Sequence, residues 1–257
     1  MRYQGSKKRI ASDIVDIIHA NLGNRTYVEP FMGGCNILKH IVADRKIGAD
    51  GNRYVAHMWQ ELKNGTLTIP EYISKDYYLN VRESYKANEG KYSDGKIALV
   101  GILGSYGGKM FNGYANFNPN KNEDHVREAL NGLRKDWSEF KCRSNTEFYY
   151  SDYRDLNIPH NSFIYCDPPY QDTLGYNGTA HFDSELFWNW CRSQEKKGNF
   201  VLVSEYQAPS DFVCVWQKEI RCGMNSQQGI KQDVRIEKLF VHKSRLIKMN
   251  DGFKSKR

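Results

Sequence analysis

Apolar residues at Ile10, Ile14, Val15, Ile17, Ile18 and Leu22 repeat at the spacing of one helix face, and Gly23 with Asn24 closes the run. Thr26 to Glu29 is a short apolar stretch ending in Pro30, the pattern of a buried strand. Gly33 and Gly34 then open a loop. Ile37, Leu38, Ile41 and Val42 predict a second helix, and Lys46 to Ala49 a second strand closed by Asp50-Gly51-Asn52. Strand, glycine loop, helix, strand and acid form the first half of a nucleotide-binding βαβ unit.

The pattern changes from about Arg53 to Asn145, where helical periodicities recur without a clear parallel strand. Gly104 to Tyr114 is rich in glycine and aromatic residues and predicts a loop, extended through Asn116 to Asn120. A charged helix is predicted from Glu123 to Phe140. Strands return at Glu147 to Tyr150 and at Ser162 to Cys166, the latter running straight into Asp167-Pro168-Pro169-Tyr170. Phe182 to Lys197 predicts a helix and Asn199 to Ser204 a buried strand. Phe212 to Ile220 and Val234 to His242 predict an antiparallel pair at the sheet edge. The sequence shows no internal repeat and no low-complexity segment.

Composition narrows the class. A chain of 257 residues, 40% hydrophobic, suffices for one large α/β domain with an insertion. The net charge of +7 suits a polyanionic partner. Basic residues gather at Arg2, Lys7, Lys8 and Arg9 and again from Lys243 to Arg257, although such a tail also reads as a solvated end. The six cysteines form no C-x-x-C pair, so their spacing suggests neither a zinc site nor a disulfide framework. They read as small buried hydrophobes in a reducing cytoplasm. The charged start predicts no signal peptide, and no run approaches the roughly 20 apolar residues of a membrane span. Neither metal nor membrane is expected as a partner, and a monomer is the default.

Two motifs carry chemistry. Asp167-Pro168-Pro169-Tyr170 leaves an apolar strand at the sheet's carboxyl edge, where open α/β folds bind ligands. The prolines stiffen the backbone and lack amide hydrogens, so their carbonyls and the Asp167 carboxylate are acceptors. Tyr170 adds a flat face. Two acceptors and one aromatic plate suit a planar base bearing an amine; a proline turn with a capping Asp is the plainer reading of the tetrapeptide alone. The second motif is Tyr27-Val28-Glu29-Pro30-Phe31-Met32-Gly33-Gly34-Cys35. Its glycines allow close backbone approach, and a helix after them would offer free amides. It is neither a G-x-G-x-x-G fingerprint nor a P-loop. Asp50 is placed to accept from ribose hydroxyls, or equally to make an Asx-turn before Gly51.

Phe31-Met32-Gly33-Gly34 resembles the cofactor motif of amino-methyltransferases, and Asp167 to Tyr170 their catalytic motif. The order of Arg2-Tyr3-Gln4-Gly5-Ser6-Lys7, glycine motif, insertion and catalytic motif is similar to the Dam-like, D12 class DNA adenine methylases of bacteria and phages. The resemblance runs to about His242. It implies a Rossmann-like α/β sheet formed by residues 1–52 and 146–257, with a mainly helical target-recognition domain inserted at 53–145. It implies S-adenosylmethionine as cofactor and double-stranded DNA as partner. Tyr3 and Lys7 match the segment that closes over the cofactor. Glu29, Pro30, Phe31 and Gly33 match the cofactor loop, Asp50 the acid that holds the ribose, and Asp152 an acid for the cofactor adenine. Asp152 reads nearly as well as a surface-loop Asp. Asp167, Pro168, Pro169 and Tyr170 match the catalytic set. Cys35 departs from the family, which often has glycine there.

The resemblance further implies that the target adenine leaves the duplex and receives the methyl group by in-line displacement. In the insertion, the loop from Ser105 to Phe117, with Lys109, Asn112 and Tyr114, is expected to meet DNA. Arg127, Arg134 and Lys135 share one helix that would face phosphates or base edges; taken singly, each reads more simply as part of a solvated face. The same geometry serves other planar amines, so cytosine, RNA and protein glutamine stand as alternative substrates, and a catalytically silent DNA-binding relative as an alternative class.

Overall fold

The computed structural model describes residues 1–169, 182–221 and 234–246. Among them, seven strands and six α-helices make a mixed, Rossmann-like α/β fold. The chain divides into two compact units, Met1–Asn157 and Ile158–Arg257.

In the first unit, helix α1 (Ala11–Leu22) follows a single 3-10 turn at Lys7–Ile10. Its buried Ile14, Ile18 and Leu22 are the predicted apolar face. The helix stops at Gly23, whose φ of 57° suits a residue without Cβ, and Arg25 caps the carbonyls of Asn21 and Leu22 at 3.0 and 3.1 Å. Strands β1 (Tyr27–Glu29), β2 (Lys46–Asp50) and β3 (Thr146–Tyr150) are parallel and ordered β3-β2-β1. Every residue of β1 is buried, as expected for a parallel strand covered on both faces.

The segment between β2 and β3 is helical. Asn52 caps α2 (Arg53–Asn64), whose Val55, Met58, Trp59 and Leu62 are buried, and which packs on β3 and on α4. Helices α3 (Lys75–Lys86), α4 (Asp94–Leu103) and α5 (His125–Ser138) follow. α4 is apolar nearly all round and almost entirely buried, so it is the core of this segment. Between α4 and α5 runs the expected glycine- and aromatic-rich loop, pinched by an antiparallel bridge from Ser105 to Tyr114.

The helix predicted over Ile37 to Val42 does not form. Only a 3-10 turn at Leu38–His40 is present. Its would-be second-turn groups are engaged elsewhere. The Val42 amide donates to His19 Nε2 at 3.1 Å, and the Lys39 carbonyl accepts the Lys141 amide at 2.9 Å. The Leu38 carbonyl accepts the fully buried Lys46 ammonium at 3.1 Å. With so few residues, the few bonds a helix would gain do not offset its nucleation cost against these tertiary partners.

In the second unit, β4 (Phe163–Cys166) and β5 (Phe200–Glu205) are parallel and joined through α6 (Ser184–Lys196). The predicted antiparallel pair is β6 (Phe212–Arg221) and β7 (Val234–His242). β7 also pairs antiparallel with β5, so the order is β4-β5-β7-β6 and only β6 of that pair is outermost. Phe163 stacks on Phe200 at 4.7 Å, tying the first residues of the two parallel strands.

Candidate active site

The glycine loop is built by its own backbone bonds. The Met32 amide reaches the Ala49 carbonyl at 2.9 Å, holding the loop across the end of β2. Gly33 has a φ of 42°; its amide donates to Asp50 Oδ2 at 2.9 Å and its carbonyl accepts the Trp59 indole at 2.8 Å. The Cys35 amide closes a turn onto the Met32 carbonyl at 2.7 Å. Cys35 itself takes a φ of 51°, a left-handed conformation that favours glycine. Its thiol is fully buried, and burial pushes its pKa well up. No helix follows the loop, so the amides expected to be free at a helix N-terminus are not offered; the Gly33 amide is already held by Asp50.

Asp50 therefore has one role anticipated for it and one that was not. It makes an Asx-turn to the Asn52 amide at 2.8 Å and also anchors the loop. As a residue it is half-buried at the carboxyl end of β2, with its carboxyl the buried part. Burial pushes its carboxyl up to about 6, while the two amides pull it down. Glu29, at the matching end of β1, is buried and accepts the Tyr27 hydroxyl at 2.8 Å. Asp152, just past β3, is bound by Arg154 at 2.7 and 3.0 Å, which holds its carboxyl below the usual range. Beside it, Tyr153 packs on Phe31 with ring centroids 5.3 Å apart. Three carboxylates at successive strand ends and an aromatic pair are groups that could hold a nucleoside with a cationic arm, the acids accepting from ammonium and hydroxyls and the rings stacking on a base.

Tyr3 lies over the loop. A Cβ built on Gly33 would meet the Tyr3 ring at 2.8 Å, and one on Gly34 would meet Tyr3 Cβ at 2.9 Å. Lys7 is buried at the start of the first turn. Pro30 is buried and Phe31 half-buried. The structure thus brings Tyr3, Glu29, Pro30, Phe31, Gly33 and Asp50 together around one loop, with Tyr153 and Asp152 at the Phe31 side.

In the second unit, β4 is buried along its whole length and delivers Asp167, Pro168 and Pro169 at its carboxyl end. Asp167 is partly exposed and Pro168 buried. Tyr165 and Ser204 share a buried hydrogen bond of 2.7 Å just before this point, locking β4 to β5 where the motif begins. Tyr170 lies outside the described residues, as do Cys222 and the tail beyond Leu246.

The residues expected to meet DNA differ in freedom. Asn112 is exposed and Lys109 half-buried. Tyr114 is anchored: its hydroxyl donates to the Ile73 carbonyl at 2.8 Å and lies 3.1 Å from that of Tyr72. Arg134 is held by Asn131 at 2.7 Å and by the Pro70 carbonyl. Arg127 keeps 68% of its side chain exposed. Glu71, Tyr72, Arg127, Asn131 and Arg134 line an open cleft of about 400 Å³.

Three site residues escaped the sequence reading: Tyr153 beside Asp152, and two more. Trp59 belongs to a helix assigned to the insertion, yet its indole holds the Gly33 carbonyl. Gly48, inside β2, leaves room for the loop: a Cβ there would meet Leu38 at 2.6 Å and the Met32 sulfur at 2.8 Å. A glycine within an apolar strand was the available signal. Among the described residues no group of three or more His, Cys, Asp or Glu is disposed to hold a metal, and no helix is long and apolar enough to cross a membrane.

Comparison with known proteins adds the following. The model of the family described as D12 class N6 adenine-specific DNA methyltransferase matches residues 3–219, which include both motifs. The type II methyltransferase M.FokI of Planomicrobium okeanokoites is 28% identical over 218 residues, covering 77% of this chain and 32% of that protein. The modification methylase StsI of Streptococcus sanguinis is 25% identical over 215 residues, with the same coverages of 77% and 32%. The chain thus spans about a third of the length of these relatives.

Proposed function

The chain belongs to the D12 class N6 adenine-specific DNA methyltransferase family, and from that membership we propose that it transfers a methyl group from S-adenosylmethionine to the exocyclic amine of adenine in duplex DNA at a specific sequence. The observation that carries the reading is Asp167-Pro168-Pro169 at the carboxyl end of a wholly buried strand, within the span matched by the family model.

S-adenosylmethionine, when bound, supplies an electrophilic methyl group. Glu29 and Asp50 would hold its cationic and hydroxyl-bearing parts and Phe31 and Tyr153 its base; the backbone at Gly33 lies beneath Tyr3. Asp152, now bound by Arg154, would join them by sharing its carboxylate. On the substrate side, the Asp167 carboxylate and the Pro168 carbonyl accept the two amine hydrogens of an adenine taken out of the stack. Fixing both hydrogens leaves the nitrogen lone pair as the exposed nucleophile. The contribution of these residues is orientation and charge placement. Arg127, Lys109 and Asn112 of the helical segment contact the DNA.

The test is transfer of label from S-adenosylmethionine to unmethylated duplex DNA, with Asp167→Ala alongside and the modified bases mapped. Label recovered as methyladenine and lost in the variant supports the proposal. Cofactor binding without label in DNA would overturn it.

A further inference from the structure

The segment Met1 to Tyr3 is wedged between two loops that the proposed function assigns to different ligands. On one side, Tyr3 covers the glycine loop, its ring 2.8 Å from a Cβ built on Gly33 and its own Cβ 2.9 Å from one built on Gly34. On the other, Gly108 of the loop between α4 and α5 lies close against the same segment's backbone. A Cβ built on Gly108 would lie 2.9 Å from the Arg2 carbonyl carbon and oxygen and 3.0 Å from the Tyr3 nitrogen. Backbone atoms cannot rotate away as the end of a side chain can, so this contact transmits displacement.

The segment is also tied at its other points. The Met1 nitrogen donates to Asn36 Oδ1 at 3.2 Å and pairs with Asp136 of α5, which also binds Lys39 at 2.5 Å. Arg2 reaches Glu128 of α5 at 3.4 Å. The Ser6 amide turns back onto the Tyr3 carbonyl at 3.2 Å. Between these ties the Tyr3 ring lies over Gly33.

We infer that residues Arg2 and Tyr3 act as a strap through which the loop between α4 and α5 sets the position of Tyr3 over the donor loop, and that Gly108 is thereby a positioning residue for S-adenosylmethionine, which it does not itself touch. This rests on the reading that the glycine loop holds the donor. It makes donor affinity depend on the conformation of a loop assigned to DNA.

Gly107 supplies the control. Both glycines adopt left-handed backbone, φ 67° and 71°, so alanine strains either one. A Cβ at Gly107 meets nothing within 4 Å, whereas one at Gly108 meets the strap. The experiment is calorimetric titration of S-adenosylmethionine into the full chain, into Gly107→Ala and into Gly108→Ala, each checked for folding by circular dichroism. Gly108→Ala raises the donor Kd by about fivefold or more and Gly107→Ala by less than about twofold, within the usual span of coupling between sites. Tyr3→Ala measured by itself keeps the test open should Gly108→Ala fold poorly: it weakens donor binding, and an unchanged Kd overturns the strap; where Gly108→Ala folds, it adds nothing in the Tyr3→Ala background. Equal weakening by both alanines, no weakening by either, or additivity with Tyr3→Ala overturns the strap. Absence of donor binding in the unmodified chain overturns the functional reading itself, and the strap with it.

Discussion

The amide of Gly33 donates to the carboxylate of Asp50 at 2.9 Å, so the acid at the end of β2 shapes the loop at the end of β1 before any ligand arrives. Burial lifts the Asp50 carboxyl from its ordinary 3.8 to about 6. A folded-state pKa above the unfolded one means that this group's contribution to stability is full below the ordinary value and is lost as pH rises through about 6. Ligand binding has the opposite slope, because the ionised form is the better acceptor for ribose hydroxyls. Donor affinity is expected to rise between about pH 5 and about pH 7, and Asp50→Asn to flatten the dependence. Calorimetry across that range tests it; a profile unchanged in Asp50→Asn would remove Asp50 from the donor site.

Trp59 is 1% exposed and its indole holds the Gly33 carbonyl. Trp59→Phe keeps much of the ring packing but leaves that carbonyl unpartnered, an expected loss of about 1–3 kcal/mol. Urea unfolding reads the stability, and a parallel rise in donor Kd would show that the bond also sets the loop. A stable variant with unchanged affinity would show that the indole bond is dispensable.

Gly48 is the point where β2 admits the loop. Gly48→Ala places a methyl group 2.6 Å from Leu38 and 2.8 Å from Met32, an overpacking expected to cost about 1–3 kcal/mol. Gly51→Ala, where a Cβ meets nothing within 4 Å, is expected to change stability by less than about 0.5 kcal/mol. Thermal melting of the pair decides; equal melting temperatures would mean that the loop gives way without cost.

Arg127 and Arg134, on one face of α5, differ in restraint, the first largely exposed and the second held by Asn131 and Pro70. Arg127→Ala is expected to leave stability intact and to lower the salt dependence of DNA binding by about one counterion. Arg134→Ala is expected to lower the melting temperature as well, since it frees the Pro70 carbonyl from its partner. Salt titrations of duplex binding, set beside melting curves, separate the two. An unchanged slope for Arg127→Ala would take that side chain off the DNA.

What the sequence determined by itself was local. The spacing of Ile10, Ile14, Ile18 and Leu22 specifies α1, and the apolar run to Cys166 followed by Asp167-Pro168-Pro169 specifies a buried strand ending in a stiff turn. Such patterns are legible because each residue's burial follows from its position in a short repeat. Tertiary structure decided whatever depends on partners far along the chain. Ile37 to Val42 carries helical spacing, yet His19, Lys46 and Lys141 take its backbone groups. Trp59 reads as one more apolar helix residue, and only packing turns its indole toward Gly33. Gly108 and Tyr3 are separated by a hundred residues of sequence, and no periodicity relates them. Only folding brings Gly108 against the backbone of Arg2 and Tyr3, where a glycine is what the space permits.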